Sequence, residues 1–62
     1  MKKVKTYKGF VIAETNQQEQ TEGYKDNFIV FKKDEWSMGE GLRYDEIECN
    51  TIDHCIEFID SY

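Results

Sequence analysis

The sequence predicts a single small α+β domain over residues 1–62, a three-stranded antiparallel sheet followed by one C-terminal helix packed on one of its faces (β-β-β-α order). Three observations predict it. Thr51 to Tyr62 sets Ile52, Cys55, Ile56 and Ile59 at helical intervals, with Phe58 and Tyr62 on one flank and Asp53, His54, Glu57, Asp60 and Ser61 opposite, the pattern of an amphipathic helix. Phe10-Val-Ile12 and Phe28-Ile-Val-Phe31 are short apolar runs of the β-branched and aromatic residues that strands favour. A chain of this length has room for one thin core, and no linker divides it.

The first strand is expected over Lys3 to Ala13, with Lys3 and Lys5 as a solvated lead-in and Gly9 as the candidate for a bulge or a close backbone approach. Alternation puts Phe10 and Ile12 on one face and Val11 and Ala13 on the other, so both faces are apolar. Glu14 to Gly23 contains no large apolar residue and reads as a long hairpin loop, with turn chemistry from Asn16 and Gly23 near its ends. Tyr24 to Lys33 is the second strand, with Phe28 and Val30 facing one way and Ile29 and Phe31 the other. A strand apolar on both sides needs cover on both sides. The helix supplies one cover, and a partner chain, the Trp36 region or an incomplete patch accounts for the second.

Glu35 to Gly41 reads as irregular, with turns at Gly39 and Gly41 and with Trp36 and Met38 folding back over the open face as a local lid. In the alternative, Trp36 is an exposed aromatic contact for another protein. The third strand is expected over Leu42 to Cys49, with Ile47 and Cys49 inward and Glu46 and Glu48 outward. Asn50-Thr51 then turns into the helix, where the Thr51 side chain caps a free first-turn N–H and Asp53 sits at the end of the dipole that favours negative charge. Ile56 lies mid-stripe, so Ile56→Ala is expected to cost about 2 to 4 kcal/mol and Glu57→Ala about 0.5 kcal/mol or less.

Tyr7-Lys-Gly-Phe-Val-Ile12 and Thr51 to Tyr62, 18 of the 62 residues, resemble small uncharacterised bacterial and prophage proteins that open with a Tyr-x-Gly-x-x-Ile strand and close with a helix ending Phe-Ile-Asp. Cys55 stands where that class has a small alanine. The resemblance implies the fold and an accessory cellular role, and it carries no catalytic residue.

The formal net charge of −5 is unevenly spread. Residues 1–33 hold seven lysines against four carboxylates, net +3, while residues 34–62 hold Arg43 against nine carboxylates, net −8. Either the basic strands and the acidic helix neutralise one another within the fold, or an acidic face addresses a basic partner. Asp53, Glu57 and Asp60 share one sector of the helix, where like charges cost a few tenths of a kcal/mol, and Asp60 also meets the unfavourable end of the dipole. A basic partner would relieve both. These three acids and Trp36 form the candidate protein-contact surface.

Chemistry finds little support. Cys49, His54 and Cys55 are the only residues resembling a metal-ligand set, but the two cysteines aim inward and His54 outward, so packed free thiols are expected ahead of a disulfide or a zinc site. Gly39-Glu-Gly41 lacks the spacing and lysine of a nucleotide loop, and no other cofactor motif occurs. A histidine on a solvated helix face is not placed for acid–base catalysis, so no enzymatic activity is expected. Lys2, Lys3, Lys5 and Lys8 make a basic arm, yet the single arginine and the downstream carboxylates speak against direct nucleic-acid binding. No apolar run is long enough to span a bilayer, and the Lys2-Lys3 start lacks a signal peptide's apolar region, which points to the cytoplasm. The expected function is a small acidic, non-enzymatic protein-interaction or regulatory module, self-associating if a second copy covers the second apolar face. The alternative is a nucleic-acid-mimicking inhibitor of a DNA-binding protein or nuclease that acts through the acidic C-terminal half.

Overall fold

The computed structural model describes residues 1–39 and 41–62, so Glu40, one of the nine carboxylates and the centre of the expected Gly39–Gly41 turn, lies outside the described residues. Among the described residues the sheet has four antiparallel strands in the order β1-β2-β3-β4, and three helices are interleaved with the strands after β2, which corrects the expected three strands and single helix. The additional strand comes from the first apolar stretch. What reads as one strand is a hairpin of β1 (Lys2–Tyr7) and β2 (Phe10–Glu14), with Tyr7 paired to Phe10. Lys8 at φ 48° and Gly9 at φ 81° form its two-residue turn, and positive φ at both positions gives the twist that matches antiparallel neighbours. Gly9 therefore turns the chain, and the bulge falls between Lys3 and Lys5.

The expected loop after β2 contains a helix, α1 (Gln17–Glu22), which buries none of its residues. Its ends hold it. Asn16 Oδ1 accepts the Glu19 N–H at 2.8 Å while Glu19 Oε1 accepts the Asn16 N–H at 3.0 Å, a reciprocal cap that satisfies two otherwise free donors. Gly23 ends the helix at φ 141°. Buried Thr15 ties the segment down, its hydroxyl donating to the Asp26 carbonyl at 3.0 Å and accepting from Gln20 Nε2 at 3.0 Å.

Strand β3 (Phe28–Lys32) is the expected second strand, shortened, and it pairs with β2 from Phe10↔Lys32 to Glu14↔Phe28. The segment read as irregular starts with a short helix, α2 (Lys33–Ser37), whose acidic Asp34 and Glu35 lie in its first turn. Strand β4 is Ile47–Cys49 only, not Leu42 to Cys49, because Leu42 closes a turn onto Gly39 and Arg43 is drawn to Trp36. Helix α3 (Ile52–Asp60) matches the expected position, with Thr51 as its cap.

Alternation along β2 and β3 divides the core into two layers. Against α3 lie buried Ile12, Val30 and Cys49, joined by Cys55 and Ile59 from the helix and edged by Phe10, Phe28 and Ile47. Behind the sheet lie Ala13, Ile29 and Phe31, covered by Met1, Tyr24 and Trp36. Ile29 is 0% and Phe31 2% exposed, so the second apolar face is closed by the chain itself and needs no second copy to bury it.

Ile56 is half-buried, whereas Ile59 is 5% exposed and central to the helix contact. Ile59→Ala should therefore cost about 2 to 4 kcal/mol and Ile56→Ala less, because less of its side chain leaves water on folding. Glu57→Ala should stay within about 0.5 kcal/mol. Urea denaturation of the three variants reads the order directly, and equal losses at Ile59 and Glu57 would show the helix rotated from this position.

Candidate functional site

The candidate contact residues divide between the two sides of the sheet. Thr51 Oγ1 accepts the His54 N–H at 3.1 Å, which sets the rotation of α3 so that Cys55 and Ile59 enter the core and Asp53, His54, Glu57 and Asp60 remain exposed. Trp36 is behind the sheet, against Phe31 with ring centroids 5.4 Å apart. The structure thus brings the three acids onto one helix face and places Trp36 elsewhere.

Within the acidic trio Asp60 is already engaged. Lys8 Nζ donates to its carboxylate at 2.8 Å and the Tyr7 hydroxyl donates at 2.9 Å, both from the β1–β2 hairpin. The Lys8 hydrogen bond, with that from Tyr7, holds the Asp60 carboxyl below its ordinary value, and the same pairing raises Lys8. An ammonium at the last turn of α3 also offsets the charge that the dipole disfavours there. Asp53 and Glu57, one turn apart, have no side-chain hydrogen bond or ion pair among the described residues. A second lysine contact has the same character. Lys32 Nζ stands 3.6 Å from Glu46 and 5.4 Å from the centre of the Tyr62 ring, and the Tyr62 hydroxyl donates to Glu46 at 2.9 Å. Part of the charge asymmetry is neutralised inside the fold, and the exposed remainder on α3 is Asp53 and Glu57.

Trp36 is enclosed on its outer side as well. The Arg43 guanidinium lies 3.6 Å from the centre of its ring and Arg43 Nε donates to the Trp36 carbonyl at 2.8 Å, a cation–π stack held by a hydrogen bond. Trp36 is the lid over Phe31, while Met38, 57% exposed, does not join it. Beside this lid a cavity of about 320 Å³ is lined by Met1, Glu19, Tyr24, Phe31, Gly41 and Arg43. Its carboxylate is internally paired, with the Met1 ammonium 2.8 Å from Glu19. Burial works to raise the Glu19 carboxyl, but the ammonium and the Asn16 N–H outweigh it and hold the group below its ordinary value. Burial raises the Tyr24 hydroxyl, and nearby Asp45, Glu19 and Glu48 raise it further. Among the described residues its lining includes no His or Cys.

Cys49 and Cys55 are free and buried, as their inward direction in the sequence implied. Among the described residues no group of three or more His, Cys, Asp or Glu side chains is gathered as a metal would require. Among the same residues no helix is long and apolar enough to cross a membrane. The partners of the candidate residues were not visible in the sequence. Lys8 reads as a strand residue until the two-residue turn aims it at Asp60, and Arg43 reads as a strand residue until it stacks on Trp36. The Asn16-x-x-Glu19 spacing was the one available signal, for α1. No known protein family, curated protein or solved structure matches the chain.

The Lys8–Asp60 pair has a definite pH dependence. Asp60 is depressed in the folded state, so its contribution to stability is present above the ordinary carboxylate value of 3.8 and is lost as pH falls through the folded value. Lys8 is raised, so its contribution is present below 10.5 and is lost as pH rises through the folded value. In Lys8→Gln the Asp60 titration, followed by carboxyl carbon NMR, should move up toward the ordinary carboxylate midpoint. An unchanged midpoint would mean that the pair does not form in solution.

Proposed function

We propose that the chain is a small non-enzymatic protein-interaction module that receives a basic segment of a partner on the outer face of α3, through Asp53 and Glu57. The observation that carries this reading is the contrast within the acidic trio. Asp60 has Lys8 and Tyr7 as partners, whereas Asp53 and Glu57 stand exposed one turn apart with none among the described residues. Like charges at that spacing cost a few tenths of a kcal/mol, which a lysine or arginine laid between them turns into attraction. Because both carboxylates are in water, the contact depends on salt and contributes more to encounter rate and register than to affinity. Trp36 has no part in this surface, being held between Phe31 and Arg43. The two unlinked thiols suit a reducing compartment, and the reading places the module in the cytoplasm.

A short lysine-rich peptide, titrated into labelled protein at low salt and followed by amide NMR, tests the proposal. Shifts should centre on residues 53–57, weaken in moderate salt and disappear in the double variant D53N/E57Q. No shift at low salt, or shifts confined to other elements, would sink it. The nucleic-acid-mimicking alternative requires in addition that the chain displace DNA from a DNA-binding protein or nuclease at low salt.

A further inference from the structure

Cys49 is the last residue of β4 and Cys55 lies in the second half of the first two turns of α3, six positions later in the sequence. The chain between them is tightly fixed. It reverses at Asn50-Thr51, Thr51 Oγ1 accepts the His54 N–H, and the Thr51 carbonyl accepts the Cys55 N–H at 3.2 Å. Both side chains enter the same buried cluster with Ile12, Val30 and Ile59, Cys49 being 6% and Cys55 0% exposed. There the Cys49 thiol is close enough to the Cys55 thiol to help raise it. Two sulfurs gathered into one buried cluster by a short, braced loop are placed to be joined with little backbone movement.

We infer that Cys49 and Cys55 form a dithiol modification site, closed to an intramolecular disulfide by a small-molecule disulfide of the glutathione type. In the first step the Cys49 sulfur, as its thiolate, attacks one sulfur of the reagent. The reagent's S–S bond breaks, one thiolate leaves, and Cys49 carries the mixed disulfide. In the second step Cys55 gives up its proton and attacks the Cys49 sulfur, expelling the second thiolate. The two protein thiols lose two electrons and two protons; the reagent gains both and departs as two small thiols.

The order of attack follows from the surroundings. Cys49 retains slight exposure at the edge of the cluster, whereas Cys55 has none. Burial, together with the nearby Cys49 thiol, pushes the Cys55 thiol up to about 12, so at neutral pH little of it is thiolate and it acts second. The closed bond joins the start of α3 to the end of β4, across the same contact that buries Ile59. It leaves Asp53 and Glu57 on the outer face, so this inference does not depend on the proposed partner.

The experiment exposes the folded chain to oxidised glutathione, with a second sample unfolded in urea, and follows both by intact mass and non-reducing peptide mapping. In the folded sample a monomer lighter by two hydrogens should accumulate, with Cys49 and Cys55 in one linked peptide. Its formation should quicken by about tenfold per pH unit between about pH 7 and 9, as the Cys55 thiolate fraction grows. The oxidised form should melt higher than the reduced one by on the order of 10 °C. C55S should stop at the glutathione adduct on Cys49, and if that variant does not fold, the peptide map of the unaltered chain still decides. Thiols that stay free in the folded sample while the unfolded one oxidises would overturn the inference, as would a product that stops at the mixed disulfide or links two chains.

Discussion

Strands β2 and β3 are apolar on both sides, and a 62-residue chain has to keep water from both. That demand accounts for most of the architecture. Ile12 and Val30 are covered by α3, which carries a continuous apolar stripe. Ala13, Ile29 and Phe31 receive no comparable element, so single side chains from different parts of the chain converge on them: Met1 from the start, Tyr24 from the end of the α1 connection, and Trp36 from α2. Two of the three are then braced by a polar contact on the outer side, Met1 by Glu19 and Trp36 by Arg43. The first layer is stabilised by burial along a helix, and the second by burial under residues that electrostatic contacts hold in place.

This difference also explains what could be read before the fold was known. A nine-residue helix with Ile52, Cys55, Ile56 and Ile59 on one side reports its own periodicity, and so do the apolar centres of β2 and β3. Helix α1 has no buried face and therefore no hydrophobic period; its signal is confined to Asn16, Glu19 and Gly23. Helix α2 is five residues long, too short to show a period around Trp36. The β1–β2 turn is hidden because Lys8, a residue that seldom takes positive φ, occupies a position usually given to Asn, Asp or Gly. Of the candidate contact residues, the acids were legible because they are set by the helix period. The position of Trp36 depends on Arg43, whose approach no local pattern encodes.

The charge asymmetry acquires a structural meaning once the pairs are placed. The basic hairpin and the acidic helix meet at Lys8 and Asp60, and Lys32 of β3 meets Glu46 ahead of β4. Glu48, half-buried, accepts the backbone N–H groups of Lys25 at 3.0 Å and Asp26 at 3.4 Å, where it anchors the chain entering β3. Several carboxylates that a sum over the sequence counts alike thus differ in availability: Asp60, Glu46, Glu48 and Glu19 have structural partners, while Asp53 and Glu57 retain their charge facing solvent.

The two borders of the sheet differ in the same way, with a consequence for crowded solutions. Strand β1 forms one border over six residues, carries Lys2, Lys3 and Lys5, and is interrupted by the irregularity between Lys3 and Lys5. Two molecules approaching along this border would set ammonium groups against ammonium groups and meet a broken hydrogen-bond ladder. The opposite border, β4, has only three residues, and the carboxylates that could attract those lysines, Glu46 and Glu48, are already engaged. Sheet-to-sheet growth into fibrils is therefore opposed at one end by repulsion and at the other by shortness, a safeguard for a strand pair as apolar as Phe10-Val-Ile12 and Phe28-Ile-Val-Phe31.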